Sequence, residues 1–150
     1  MIQLSRRSLL AVTAVVDIAL HARPAPVAAK ALAARHELPP RHLETVLQAL
    51  VRAGILKGVR GPRGGYELAR ERRRISAGEI VRAAMQVSPD EVMPPRPRSP
   101  LADLVIDPRM QLAADAWLAV LDAVTVADLC REAEERSATG RAVADTDFTI

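Results

Sequence analysis

Residues 52–69 read RAGILKGVRGPRGGYELA, and this stretch decides the fold. Four of the chain's seven glycines lie in its GVRGPRGGYEL portion. The runs ILKGV at 55–59 and GYEL at 65–68 have the length and composition of two paired strands, so the residues between them form the tip of a hairpin. The glycines permit the turn, and Arg60 and Arg63 are presented at its end.

Three predicted helices precede this hairpin. Ser5 is placed to cap a first helix in SRRSLLAVTAVVDIALHA, which the prolines of ARPAP at 22–26 end. A short second helix covers 27–36, and a third runs from about Pro40 to Ala53 with an apolar face. The fold predicted is mainly α, a winged helix-turn-helix with a two-stranded β wing and a long C-terminal helix.

The second half of the chain is predicted to be helical after a proline-rich segment. Ser76 and Glu79 form a capping box that opens a helix, and 88–100 holds five of the eleven prolines. Asp107 with Pro108 is expected to open a longer helix, and a further capping box at Thr125 opens the last one. We divide the chain into a DNA-binding domain at 1–87, a loop at 88–106, a dimerisation helix and following helix at 107–137, and a flexible tail at 138–150.

Positive charge is concentrated in the first half of the sequence. Residues 1–75 hold 14 Lys and Arg against 5 Asp and Glu, whereas residues 76–150 hold 7 against 13. This asymmetry is typical of a polyanion-binding module followed by a segment that does not bind, although a merely solvated basic surface is an alternative. A single cysteine, Cys130, excludes an intramolecular disulfide and fits a reducing cytoplasm.

No apolar run approaches the roughly 18 residues that span a bilayer. SRRSLLAVTAVV at 5–16 is similar to a twin-arginine export signal, but Asp17 interrupts its apolar part. We therefore predict a cytoplasmic protein without a membrane partner.

Double-stranded DNA is the polyanion that this arrangement suits. Arg6, Arg7, Lys30, Arg35 and Lys57 are placed to neutralise phosphates. At the start of the third helix Arg41 is predicted to reach a guanine edge, Glu44 a cytosine amino group and Thr45 a thymine methyl. A solvated ion pair of Glu44 with a neighbouring arginine is the alternative. Arg60 and Arg63 fit a narrow minor groove. The DNA-binding residues predicted are Arg6, Arg7, Lys30, Arg41, His42, Glu44, Thr45, Lys57, Arg60, Gly61, Arg63, Gly64 and Gly65.

These motifs resemble the Rrf2 family of bacterial winged-helix transcription regulators, the group of IscR, NsrR and RirA. The similarity lies in AVVDIALHA, His42-Leu43-Glu44, RAGILKGVRGPRGGYELA and ISAGEIVRA. It implies a homodimer on a pseudo-palindromic operator, with Glu44 and Arg60 contacting bases. It also implies dimerisation through the long helix, by the apolar residues Met110, Ala114, Trp117, Leu118 and Leu121.

The sequence departs from that family in its sensor loop. Many members hold an iron–sulfur cluster through three cysteines, whereas SPDEVMPPRPRSPLADLVID at 88–107 has no Cys or His. We therefore predict no cofactor and no metal. The candidate signals are a small-molecule effector, a protein partner, a redox-active Cys130, or no effector beyond protein concentration. The acidic neighbours of Cys130 argue against its reactivity.

Two other classes of function are alternatives to a DNA-binding regulator. PPRPRSP has P-x-x-P spacing, so the chain could be a winged-helix module that regulates through a protein partner. Its basic first half argues against this alternative. An enzyme is not predicted, because His21, His36 and His42 show no ligand spacing and no catalytic motif occurs.

Overall fold

Three helices and a hairpin follow one another in the first half of the chain, and three further helices fill the second. The computed structural model describes residues 5–86 and 94–146, with side chains through Thr139. The elements are α1 (Arg6–His21), α2 (Ala29–Arg35), α3 (Pro40–Arg52), β1 (Leu56–Val59), β2 (Gly65–Leu68), a 3-10 turn (Arg72–Arg74), α4 (Ala77–Met85), α5 (Asp107–Asp122) and α6 (Val126–Thr146). This order confirms the mainly helical winged-helix fold.

Helix α1 is the centre of the hydrophobic core. It packs against α3, α4 and α6, and its residues Val15 and Ile18 are completely buried. Leu43, Leu47 and Leu50 cover it from α3, where their spacing places them on one face. The opposite face of α3 is left for solvent or a partner.

The wing is attached to the helix-turn-helix by backbone hydrogen bonds. Strands β1 and β2 pair antiparallel, with Leu56 opposite Leu68 and Val59 opposite Gly65. A single bridge adds Val27, whose N–H donates to the Tyr66 carbonyl at 2.9 Å and whose carbonyl accepts from Tyr66 N–H at 2.8 Å. Because Val27 lies just before α2, the bridge fixes the wing relative to the helices.

Three predicted helix starts are confirmed by their caps. The Ser5 hydroxyl accepts from the Ser8 N–H at 3.1 Å, and Ser76 forms a reciprocal capping box with Glu79. Thr125 and Asp128 cap α6 in the same way. The Thr125 N–H donates to Asp128 Oδ2 and the Asp128 N–H donates to Thr125 Oγ1, with nitrogen–oxygen distances of 2.9 and 3.1 Å.

Helix α5 begins at the predicted residue, Asp107, but the predicted cap is wrong. A π-helical turn (Ala102–Ile106) runs into α5 without a break, so Asp107 is an interior residue. The Ser99 hydroxyl accepts from Ala102 N–H at 3.1 Å, and the helical backbone begins at Pro100. Ser99 is thus the cap and Pro100 the first helical residue, an arrangement that the surrounding prolines obscured.

The last helix is longer than predicted. It continues past Ala138 to Thr146, whereas the sequence predicts a flexible tail from 138 onwards. Three of the nine residues from Ala138 to Thr146 are alanine, the best helix former, and an ion pair between Arg136 and Glu132 at 2.8 Å supports the preceding turns at i,i+4 spacing. Residues 147–150 of the predicted tail and 88–93 of the predicted loop lie outside the described residues.

Candidate nucleic-acid interface

The solvent-facing start of α3 carries the residues predicted to read bases. Arg41, His42, Glu44 and Thr45 are all exposed, whereas Leu43 between them is fully buried. Pro40 occupies the first turn, where its missing N–H costs nothing. The buried leucine therefore orients the four polar side chains outward.

Glu44 is unpaired on this surface. In the segments 5–86 and 94–139, no hydrogen bond or ion pair involves its carboxylate. The alternative ion pair with a neighbouring arginine is not formed. An exposed, unpaired carboxylate can accept a hydrogen bond from a base amino group.

The amino end of α1 lies beside the start of α3. Arg6 and Arg7 line a surface depression of about 490 Å³ together with His42 and Thr45. Leu38 and Pro39 form part of its floor. Arg7 and His42 lie 35 positions apart in the sequence, so α1 and α3 together bring four predicted DNA contacts to one concave surface.

The wing tip presents Arg60 and Arg63 to solvent, and its glycines have backbone reasons to be there. Gly61 has φ of +116°, which L side chains rarely adopt. A Cβ on Gly65 would lie 2.3 Å from the Val27 carbonyl oxygen, so the bridge to Val27 requires glycine. The close packing places Gly64 and Gly65 half-buried under the tip rather than on it.

The remaining predicted phosphate contacts, Lys30, Lys57 and Arg35, differ in whether an acidic side chain already pairs with them. Lys30 is exposed on α2, whereas Lys57 forms an ion pair with its cross-strand partner Glu67 at 3.0 Å. Arg35 is tied to Asp17 by two hydrogen bonds of 2.5 and 2.9 Å. The structure thus gives Arg35 a structural partner, which corrects its expected role as a free phosphate contact.

Sequence reasoning missed the cluster around Asp17, which is only 6% exposed. His36 Nε2 lies 2.7 Å from its Oδ2, and His21 Nδ1 lies 3.3 Å from Oδ1. Burial alone would raise the pKa of Asp17, but the hydrogen bonds from Arg35 and His36 outweigh it and hold the pKa below its usual value. An aspartate within an apolar helical run was the available signal.

Exposed apolar side chains are concentrated around α5. Seven of the eleven large apolar residues that are exposed in the described part of the chain lie between 101 and 120, with exposed fractions of 47–76%. They are Leu101, Leu104, Val105, Ile106, Met110, Leu112 and Val120. Among the residues predicted for dimerisation, Met110 and Ala114 are exposed and Trp117, Leu118 and Leu121 are half-buried. Leu112 and Val120, which the sequence analysis did not select, are the more exposed.

Comparison with known proteins shows the family to which the chain belongs. The family model Rrf2, described as iron-dependent transcriptional regulator, matches residues 4–132. The chain belongs to the Rrf2 family. Protein rrf2 of Nitratidesulfovibrio vulgaris is 33% identical over 135 residues, which cover 87% of this chain and 89% of that protein. Membership of an Rrf2 transcription-regulator family confirms a regulator rather than an enzyme.

Two further similarities define how much of the Rrf2 architecture is shared. The structure of IscR from T. potens superposes with a TM-score of 0.69 at 33% identity, covering 90% of each chain. An HTH-type transcriptional regulator of Synechocystis sp. is 42% identical over 81 residues, which are 54% of this chain and 55% of that protein. The chain thus matches about half the length of that relative.

The residues present do not fit an iron–sulfur cluster. Such clusters are held mainly by thiolates, and the only cysteine of the sequence, Cys130, is 2% exposed on α6. Burial raises the pKa of the Cys130 thiol; Arg72 opposes the rise and Glu134 adds to it. Among the described residues no group of three or more His, Cys, Asp or Glu could hold a metal ion.

Membrane insertion by a helix has no support in the described segments. None of the helices there is both long and apolar enough to cross a bilayer.

Proposed function

We propose that this Rrf2 protein is a homodimeric, sequence-specific DNA-binding regulator that acts on a pseudo-palindromic operator without an iron–sulfur cluster. The observation that carries the proposal is the depression where Arg6 and Arg7 of α1 meet His42 and Thr45 of α3. A concave cationic surface at the start of a solvent-facing helix suits a phosphate backbone, and the adjoining helix end suits the major groove.

Within this arrangement the phosphate and base contacts are divided between elements. Arg6, Arg7, Lys30 and Lys57 neutralise phosphates, and their affinity depends on salt because counterions are released. Arg41 and Glu44 read base edges from α3, since guanidinium and carboxylate groups match guanine and cytosine respectively. Arg60 and Arg63 enter the minor groove beside the site.

The homodimer is proposed to form through α5. Monomeric proteins rarely leave so many large apolar side chains together on their surface, and a second copy would cover them. Two-fold symmetry then presents one α3 to each half of an inverted repeat. Leu112 and Val120 are also exposed, at 65% and 68%, but they lie on another side of α5 from Met110 and Ala114. We include both in the proposed contact, which then covers more than one side of the helix.

The absence of a cluster is proposed from the ligand chemistry. The segment 88–107 contains neither Cys nor His, and a single buried thiol on α6 cannot supply the remaining ligands. The effector is then a small molecule or a protein partner that binds elsewhere on the dimer.

Selection of bound duplexes from random DNA tests the function. The purified protein at a stated, near-physiological salt concentration should enrich an inverted repeat, and an Arg41→Ala, Glu44→Ala protein should enrich none. Iron and sulfide analysis of protein purified without oxygen should find neither in stoichiometric amount. Salt-sensitive retention without a motif would contradict the proposal and favour the protein-partner module, and stoichiometric iron and sulfide would contradict the cluster-free state.

A further inference from the structure

We propose that the base of the wing contains a binding site for a small, multiply charged anion such as a phosphate ester. A depression of about 520 Å³ lies where the end of α1 meets the segment that leaves β2. Four arginines line it: Arg23, Arg70, Arg72 and Arg74. None of the four belongs to the predicted DNA-binding set.

Most of the positive charge in this depression is not neutralised. Within residues 5–86 and 94–139, no ion pair involves Arg23, Arg72 or Arg74, and Arg70 alone has an acidic partner, Glu79 at 3.0 Å. Arg72 donates one hydrogen bond to the Ala19 carbonyl at 2.5 Å. A carbonyl leaves the guanidinium charge intact, and a guanidinium has five N–H donors, so Arg72 is held in place with donors left for a ligand.

The two carboxylates at the same depression are engaged elsewhere. Glu67 is paired with Lys57 at 3.0 Å, and Glu71 with Arg73 at 2.8 Å. Each carboxylate is therefore neutralised by a cation that does not line the depression, and neither carboxylate neutralises the lining arginines. The site as a whole attracts anions.

The depression is separate from the DNA-facing surface. Its wall includes Ala19 and Ala22 at the carboxyl end of α1, whereas Arg6 stands at the amino end. Thirteen residues of helix between Arg6 and Ala19 correspond to roughly 20 Å. A DNA backbone bound at α3 and the start of α1 would leave the depression to another ligand.

The arrangement favours a compact anion with two or more charges. Guanidinium groups bind phosphate oxygens through paired N–H donors, and several cations around one cavity favour a ligand that can accept from more than one of them. Such an anion would link α1 to the segment that follows β2, and hence to the wing. The inference does not depend on the proposed DNA-binding residues.

Isothermal titration calorimetry with inorganic pyrophosphate, at constant ionic strength, tests the site in the full-length protein. We expect saturable binding of one pyrophosphate per chain. An Arg23→Gln, Arg74→Gln protein should bind about tenfold or more weakly, because hydrogen bonds to charged groups are lost. Both side chains are exposed, so the fold should survive, as circular dichroism would verify.

Two matched variants distinguish this site from general attraction. Arg52→Gln removes an exposed charge outside the depression that has no ion pair within residues 5–86 and 94–139, and Arg41→Gln removes one from the DNA-facing surface. Both should keep pyrophosphate affinity within about twofold of the parent. The proposal is overturned if no saturable binding occurs, if Arg52→Gln is as damaging as the double variant, or if Arg41→Gln alone abolishes binding. Weaker duplex binding by the double variant without pyrophosphate binding would assign these arginines to DNA phosphates and overturn it as well.

Discussion

Asp17 on α1 accepts two hydrogen bonds from the guanidinium of Arg35 on α2, at 2.5 and 2.9 Å. Their planar, paired geometry is the strongest form of carboxylate recognition in proteins. His36 adds a contact of 2.7 Å at the carboxyl end of α2. Because α2 has only seven residues and buries only Leu32 and Ala33, this polar contact is a main determinant of how α2 sits on α1.

Asp17→Asn should destabilise the fold by about 2 kcal/mol. The substitution removes the charge that compensates Arg35, although Arg35 is partly exposed and can be rehydrated, which limits the loss. Urea unfolding followed by circular dichroism measures it. Glu71→Gln is the matched control, since it breaks the exposed pair with Arg73 and should change the midpoint little. Equal losses of unfolding free energy in the two variants would show that the Asp17 contacts stabilise the fold no more than an exposed ion pair does.

The Glu79 carboxylate predicts an acid-dependent loss of stability. A hydrogen bond from the Ser76 N–H holds the pKa of Glu79 below its ordinary value of 4.5. Partial burial opposes this lowering of the pKa, and Arg70 adds to it. A carboxylate whose pKa is lower in the folded protein stabilises the fold at pH values above its unfolded-state pKa. This contribution is lost as the pH falls through its folded-state pKa. Glu79→Gln keeps an acceptor for the capping box but does not titrate.

Parent and Glu79→Gln proteins should therefore differ most near neutral pH and converge as the pH falls from 4.5 through the lower folded pKa of Glu79. The difference near neutrality should be less than about 1 kcal/mol, because the Glu79 side chain is largely solvated. Thermal unfolding from pH 3 to pH 7 measures both curves. A constant difference across that range would exclude Glu79 as the titrating group.

The sequence predicts the helix-turn-helix and wing well because both depend on local signals. Apolar spacing identifies α1 and α3, and the glycine-rich turn locates the hairpin within one residue of its observed bounds. The helical backbone that precedes α5 was missed because Ser99-Pro100 ends a proline-rich run that reads as a linker, while Asp107-Pro108 offers the same signal eight residues later.

Tertiary contacts of the site were less predictable than its residues. Arg6, Arg7 and the start of α3 could be nominated by charge and exposure, but their shared depression depends on how α1 crosses α3. Likewise, Arg35 lies eighteen residues from Asp17, and no periodic pattern links them. Burial of a charged residue is decided by the packing of two helices, which single-residue composition does not encode.

Cys130 should be inert in the folded protein. Its 2% exposure and its raised pKa both reduce the thiolate available to an oxidant. Reaction with a chromogenic disulfide reagent should be slow in buffer and fast in denaturant. DNA binding should be unaffected by peroxide, and a Cys130→Ser protein should behave alike. Peroxide-sensitive binding that Cys130→Ser abolishes would instead reveal an intermolecular disulfide.

Charges on the exposed face of α5 should separate the proposed dimer. A Leu112→Glu, Val120→Glu protein would bury two carboxylates in the interface, so its dissociation constant should rise at least about a hundredfold. Sedimentation velocity over a range of concentrations measures the change. Gln111→Glu adds a charge to a polar exposed position of the same helix and should leave the association intact. Unchanged sedimentation of the double variant would move the interface away from Leu112 and Val120.

Glu44→Ala should reduce selectivity more than affinity. Removing a carboxylate that accepts from a cytosine amino group should cost about 1–3 kcal/mol at the preferred duplex and relax the preference at one base pair in each half-site. Affinity for unrelated duplexes should stay the same or rise, because a negative charge no longer faces the phosphates. Fluorescence anisotropy with all four base pairs at each position separates the two effects.

Lys30→Gln provides the opposite signature to Glu44→Ala. A lost phosphate contact should weaken all duplexes by a similar factor and lower the dependence of log affinity on log salt by about one. Lys30 is exposed on α2 and away from the base-reading start of α3, so its substitution leaves Glu44 untouched. If Glu44→Ala also weakens every duplex equally, its carboxylate acts on the position of α3 rather than on a base.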